Sequence, residues 1–129
     1  MVIDKFKFII PRGEAEKILS ELSFNITKDF RECKLDEIKL RNLILEDGID
    51  KHSNMIGDLL YGTDEVGIRK IRLSKGNNKG KRGGFRLILL VVSIKHTAFV
   101  IHIYDKKKKS ELTLQEHNNL KKVLKSFNK

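Results

Sequence analysis

Val66-Gly67-Ile68-Arg69-Lys70-Ile71-Arg72-Leu73-Ser74, Phe85-Arg86-Leu87-Ile88-Leu89-Leu90-Val91-Val92 and Thr97-Ala98-Phe99-Val100-Ile101-His102-Ile103-Tyr104 follow one another with only turn-forming sequence between them. The first run alternates, with Ile71 and Leu73 on one face and Lys70 and Arg72 on the other, the pattern of a half-buried strand. The second is apolar on both faces apart from Arg86, which predicts a central strand. Lys75 to Gly84 forms a ten-residue loop with four glycines and four cations, Lys75, Lys79, Lys81 and Arg82. Ser93 to His96 reads as a hairpin turn. An antiparallel meander over 66–104 results. With its turn centred near residue 95, Arg86 lies opposite Tyr104 and Ile88 opposite His102. A symmetric longer loop then puts Arg72 opposite Arg86. The expected product is a row, Arg72–Arg86–Tyr104, on one face of three strands, with Lys70 and His102 beside it.

Outward from the meander, Met1 to Ile10 reads as a strand closed by Pro11-Arg12-Gly13. Ala15, Ile18, Leu19 and Leu22 give the stripe of an amphipathic helix, and a further helix is expected from Leu35 to Asp47, stopped by Gly48. Its apolar positions wrap wide, which predicts packing on two sides. Residues 24–34 favour no element. Asp50 to Thr63 reads as a connection holding the apolar pairs Met55-Ile56 and Leu59-Leu60. Thr113 precedes Glu116 at capping-box spacing, and Leu120, Val123, Leu124 and Phe127 continue into a C-terminal helix over 113–127. The expectation is one α+β domain over 1–129: an antiparallel sheet, N-terminal helices (1–48) on one face, and a C-terminal helix.

The charge is unevenly placed. The formal net of +10 divides into −4 over residues 1–65, +9 over 66–104 and +5 over 105–129, and the middle stretch holds no carboxylate. Surfaces built for solubility mix both signs, so a one-sign stretch points to a polyanion, most often nucleic acid. The single cysteine, Cys33, excludes an internal disulfide, and the longest apolar run, Leu87 to Val92, is far short of a membrane span. The N-terminus lacks the apolar core of a signal peptide, and the chain is expected in the cytoplasm with no membrane partner.

Arg86 interrupts an apolar strand, so its charge requires exposure to a cleft or an anion, either a ligand phosphate or an acid such as Asp64, Glu65 or one in the N-terminal region. Tyr104 and His117 also fit ordinary packing, His102 a satisfied half-buried imidazole, and Lys106 to Lys109 a solvated loop. The histidines at 52, 96, 102 and 117 show no ligand spacing, so no metal and no cofactor is expected. The glycine-rich loop does not match a Walker sequence and reads as a cationic flap along a phosphate backbone. These residue types suit metal-free RNA cleavage, in which cations hold the phosphate while the 2′-hydroxyl attacks and a lysine shuttles a proton. They equally suit a non-catalytic nucleic-acid-binding module.

Ile56-Gly57-Asp58-Leu59-Leu60-Tyr61-Gly62-Thr63, Ile68-Arg69-Lys70-Ile71-Arg72-Leu73, Lys79-Gly80-Lys81-Arg82-Gly83-Gly84-Phe85-Arg86, Ile103-Tyr104-Asp105-Lys106 and Ser110-Glu111-Leu112-Thr113 occur in that order. In order and spacing, over roughly residues 49–127, they resemble the HigB-type toxins of the RelE/ParE superfamily. The N-terminal third matches only in its expected elements and is elongated. The resemblance implies a compact domain with two helices on an antiparallel sheet, and a bacterial toxin that cleaves mRNA in the ribosomal A site and is neutralised by a cognate antitoxin, here expected to be a helix-turn-helix protein. It implies that Arg86, after the glycine pair, contacts the scissile phosphate, and that Lys106 and Lys107 are basic site positions. Relatives with a catalytic tyrosine after that basic loop would place it near Thr113, where this chain has none, which leaves Tyr104 or a lysine to transfer the proton. The catalytic set is therefore Arg86, Arg72, Lys106, Lys107 and Tyr104, with Lys70, Lys75, Lys79, Lys81, Arg82, Lys108 and Lys109 on the RNA backbone. Another branch of the superfamily poisons DNA gyrase, and an inactive relative would serve only as an antitoxin's partner.

Overall fold

The computed structural model describes residues 6–47, 56–74 and 84–127. It is an α+β structure: β1 (Lys7–Ile9), α1 (Glu14–Glu21), α2 (Ile26–Cys33), α3 (Glu37–Asp47), β2 (Asp58–Gly62), β3 (Val66–Leu73), β4 (Phe85–Val92), β5 (Thr97–Asp105) and α4 (Leu114–Phe127). The strands form one sheet in the order β1-β5-β4-β3-β2. The apolar run places β4 in the middle, buried from Phe85 to Val91. β2 to β5 alternate in direction, but β1 pairs parallel to β5, Lys7 opposite Thr97 and Ile9 opposite Phe99. The sheet is therefore mixed rather than antiparallel throughout. A connection containing three helices separates β1 from β2, long enough to leave β1 free to join either way round.

Helices cover both faces. Leu87, Leu89 and Val91 of β4 pack with Ile26 of α2 and Leu40, Leu43 and Ile44 of α3. Ile88 and Leu90 point the other way, against Leu19 of α1 and Leu120 and Val123 of α4. The N-terminal helices thus do not share one face, as the sequence suggested. The chain crosses between layers after α1, where Ser23 adopts φ 67° and Phe24 and Ile26 enter opposite cores. Nor is α3 covered on two sides: Leu40 is 1 % exposed, whereas Ile38 and Leu45 are 72 % and 65 % exposed.

Two elements lie where no strand or helix is expected from the residue pattern. In α2 the apolar stripe Ile26, Phe30, Cys33 is interrupted by Asp29, and the start is marked by Asn25, whose side chain accepts the Lys28 N–H at 3.1 Å. In β2 a bulge between Leu59 and Tyr61 puts the consecutive residues Leu60 and Tyr61 against the same core, which erases the two-residue alternation.

β2 is tied to β3 by Arg69, which is 3 % exposed on the α2–α3 face. Its guanidinium donates to the Ile56 and Gly57 carbonyls at 3.5 and 3.2 Å and to Asp64 Oδ1 at 2.7 Å. Asp64 therefore belongs to Arg69. Its carboxylate is 75 % exposed, so water screens the ion pair and the buried carbonyls carry most of the effect. Arg69→Met, which keeps the stem but removes these donors, is expected to cost about 2 kcal/mol and to lower the melting temperature followed by circular dichroism.

Candidate functional site

The strand register places Arg72 opposite Arg86 and Arg86 opposite Tyr104, with Lys70, Ile88 and His102 in the next row. These rows share the face that carries α4. The pairing does not run evenly from the turn: beside it Val92 faces Thr97, and a bulge then leaves Ile101 as an extra residue between the pairs Leu89–Val100 and Ile88–His102. Past that bulge, Tyr104 stands opposite Arg86.

Exposure falls along the row. Arg72 is exposed, while Arg86 and Tyr104 are each 6 % exposed. Burial, and next the charge of Arg72, pull the Arg86 guanidinium below the usual arginine range, against the opposite effect of Tyr104. An arginine keeps its charge regardless, so two like charges share one strip of sheet, and the Arg86 guanidinium also donates to the Phe85 carbonyl at 3.2 Å. Burial pushes the Tyr104 hydroxyl above the usual tyrosine range, Glu116 and Glu111 add to this, and Arg86 opposes it. Near neutrality Tyr104 is a protonated donor.

The four-lysine run does not act as one patch. Asp105 closes the turn: its carboxylate accepts the Lys107 N–H at 3.0 Å and its carbonyl those of Lys108 and Lys109. The Lys106 ammonium donates to the Ser110 carbonyl, and that of Lys108 to the Glu32 carbonyl at 3.4 Å. Lys107 is exposed. Lys109 is the one that reaches the row, with Nζ 5.3 Å from the centre of the Tyr104 ring and bonded to Glu116 Oε2. Among the expected RNA contacts, Lys70 is half-buried opposite Asp58. Lys75, Lys79, Lys81 and Arg82 lie outside the described residues.

Behind the row runs a connected set of titratable side chains that the sequence did not reveal. His102 Nδ1 lies 2.7 Å from Asp29 Oδ2, which also accepts the Ile103 N–H at 3.2 Å where β5 extends past β1. His102 Nε2 lies 3.2 Å from Glu116 Oε2, near enough for an ion pair but outside hydrogen-bond geometry. The capping box forms as expected, Thr113 N–H to Glu116 Oε1 at 2.8 Å and Glu116 N–H to Thr113 Oγ1 at 3.1 Å. The available signal was Asp29 itself, an acid on an apolar helical stripe. Asp29, His102 and Glu116 are strung end to end rather than converging, and among the described residues no group of this kind can hold a metal ion.

Burial works against ionisation of Glu116, but the bonds from Lys109 and from Thr113 N–H, with the charges of His102 and Lys109, outweigh it and hold the carboxyl below its usual range. A carboxyl depressed by folding contributes stability that is present above its unfolded value and lost as pH falls through the folded one. Melting temperature should therefore fall on acidification below about pH 4.3, and Glu116→Gln should reduce that slope.

Elsewhere, His117 is not simply packed: its Nδ1 meets the Tyr61 hydroxyl at 2.6 Å, with the Lys121 ammonium over the Tyr61 ring. The Cys33 thiol is pushed up to about 11, chiefly by burial and then by Asp29. A small pocket of about 10 Å³, lined by residues including Leu19, Phe24 and Ile101, has room for no more than a water and lies apart from the row. The carboxylate-free stretch is thus less a cationic wall than the sequence suggested, since much of it is sheet interior and Arg69 faces away from Arg72 and Arg86. Among the described residues no helix is long and apolar enough to cross a membrane. The chain matches no protein-family model.

Proposed function

We propose that this chain is a HigB-type toxin of the RelE/ParE superfamily, a ribosome-dependent mRNA endoribonuclease of the cytoplasm that is restrained by a cognate helix-turn-helix antitoxin. The observation that carries the reading is the row itself: Arg86 lies buried at the centre of the sheet, with an exposed arginine on one side and a protonated tyrosine on the other. The order and spacing of the motifs quoted above support it independently.

In this reading Arg72 and Arg86 grip the non-bridging oxygens of the scissile phosphate and offset the charge that builds as the 2′-oxygen attacks phosphorus. The 2′-hydroxyl gives up its proton to a base, the bond from phosphorus to the 5′-oxygen breaks, and that oxygen takes a proton. The products are a 2′,3′-cyclic phosphate and a 5′-hydroxyl. Tyr104 is suited to donate the proton, because burial keeps its hydroxyl neutral. Lys107 is free to reach RNA, whereas the ammonium of Lys106 is drawn to Ser110. Lys108 and the cations of the glycine-rich loop are left to bind backbone phosphates, which gives affinity without sequence choice.

The test is induction in growing bacteria, with mRNA 5′ ends mapped by sequencing. Growth arrest with cuts in phase with codons is the expected result. Arrest without such cuts would remove the nuclease and favour a gyrase-directed toxin. Tight, salt-dependent RNA binding without arrest would favour a non-catalytic module.

A further inference from the structure

Four consecutive lysines have the same chemistry, yet one of them is singled out. Lys109 is half-buried, its ammonium bonded to Glu116 Oε2 and held over the face of Tyr104. Glu116 also accepts the Thr113 N–H just ahead of α4 and lies 3.2 Å from Nε2 of His102, whose ring Asp29 ties to α2. A cation over an aromatic face is attracted by the ring quadrupole, but a lone exposed lysine gains little from it and loses rotamer freedom. A second anchor is needed to keep it there, and Glu116 supplies one.

We propose that Lys109 is the lysine of the 106–109 run that works at the Arg72–Arg86–Tyr104 row, and that Glu116 is its positioning residue, holding the ammonium over Tyr104 through a chain anchored in α2 and α4. The catalytic part of this assignment rests on the endoribonuclease reading above, whereas the positional part does not. Among the described residues, Arg86 on β4, Glu111 in the approach to α4 and His102 on β5 also act on the Tyr104 ring.

Glu116→Gln is the informative variant. Glutamine at this position retains an oxygen for the Thr113 N–H, so the capping box and the helix start survive. What it loses is the charge that draws Lys109. If Glu116 acts through Lys109, the two substitutions are not additive. Lys109→Met and Glu116→Gln should each lower the turnover number for RNA cleavage about tenfold, with little change in KM, and the double variant should be no worse than Lys109→Met alone. A purely structural cap would leave turnover unchanged in Glu116→Gln.

A readout that needs no activity separates this proposal from the functional reading. The chain has two tyrosines, so a Tyr61→Phe background leaves Tyr104 as the only phenol in an ultraviolet absorbance titration. Removing a cation beside the ring disfavours the phenolate, and Lys109→Met should move the Tyr104 midpoint up by about half a pH unit. In the Glu116→Gln background the same Lys109→Met change should move it by no more than about a fifth of that, because the ammonium has already left the ring. An equal shift in both backgrounds overturns the positional claim, whether or not RNA is cut. A coupled titration shift without cleavage by the parent protein keeps the positional claim and removes the nuclease.

Discussion

Under the proposed endoribonuclease activity, Arg86→Ala is expected to abolish growth arrest and to lower RNA cleavage by roughly 10²–10³-fold, the usual cost of deleting a fixed donor aimed at developing charge. The expectation rests on where the strand order puts this residue. β4 is the middle strand of five, so its backbone is braced on both sides, and Arg86 stands on the row between Arg72 and Tyr104. A donor on such a frame is held before the substrate arrives, whereas the exposed Arg72 must be ordered by it. Arg72→Ala should accordingly cost less, about tenfold. Arg86→Lys keeps the charge but offers a point in place of a planar fork, and should recover only part of the loss. Melting curves of each variant separate chemistry from folding. Arrest by Arg86→Ala as strong as that of the parent, at equal protein level, would remove the row from the mechanism.

Gly84→Ala is expected to have the largest effect on stability, on the order of 3 kcal/mol, with a fall in melting temperature of about 10 °C. A Cβ at Gly84 would lie 1.9 Å from the Leu73 carbonyl oxygen, and 3.0 and 3.1 Å from the Leu73 carbonyl carbon and Ser74 Cα. These neighbours are all backbone, so no side chain can swing aside. The ends of β3 and β4 would have to part, with the Lys106 N–H that donates to the Gly84 carbonyl at 2.9 Å drawn along. That displacement reaches the row directly, since Arg86 is two residues on. Activity should fall further than the lost population of folded protein explains. A melting temperature within about 2 °C of the parent would mean that the strands pass more loosely at this point than described.

The sheet centre and the row were legible because their signals are local and redundant. Phe85 to Val92 is too apolar for any position but the middle, and the hairpin turn then sets its pairing with β5 as far as Leu89, beyond which a bulge that nothing local announces brings Tyr104 opposite Arg86. Thr113 and Glu116 are legible from local signal too, three residues apart in a motif with one geometry. What could not be read shares the opposite property. The bond from Asp29 to His102 spans 73 positions, and nothing local says which of the two cores α2 will face. β2 hides because a bulge suspends the alternation by which a strand is recognised. The fate of each lysine in the 106–109 run is decided by acceptors on other elements, the Glu32 carbonyl and the Glu116 carboxylate among them, so four identical letters become four different side chains only after folding.

The extra residue at Ile101 has a consequence for how this chain can change in length. On the turn side of it the even-numbered residues Ala98 and Val100 face the α2–α3 core, whereas beyond it His102 and Tyr104 face α4. Two residues stand against one at that point, so removing Ile101 would leave Tyr104 opposite Arg86 and His102 opposite Ile88. An insertion or deletion at most positions in a strand flips everything downstream to the wrong side. Here one deletion is absorbed without disturbing the register of the row. A chain one residue shorter in β5 at this position therefore keeps Tyr104 opposite its partner on β4.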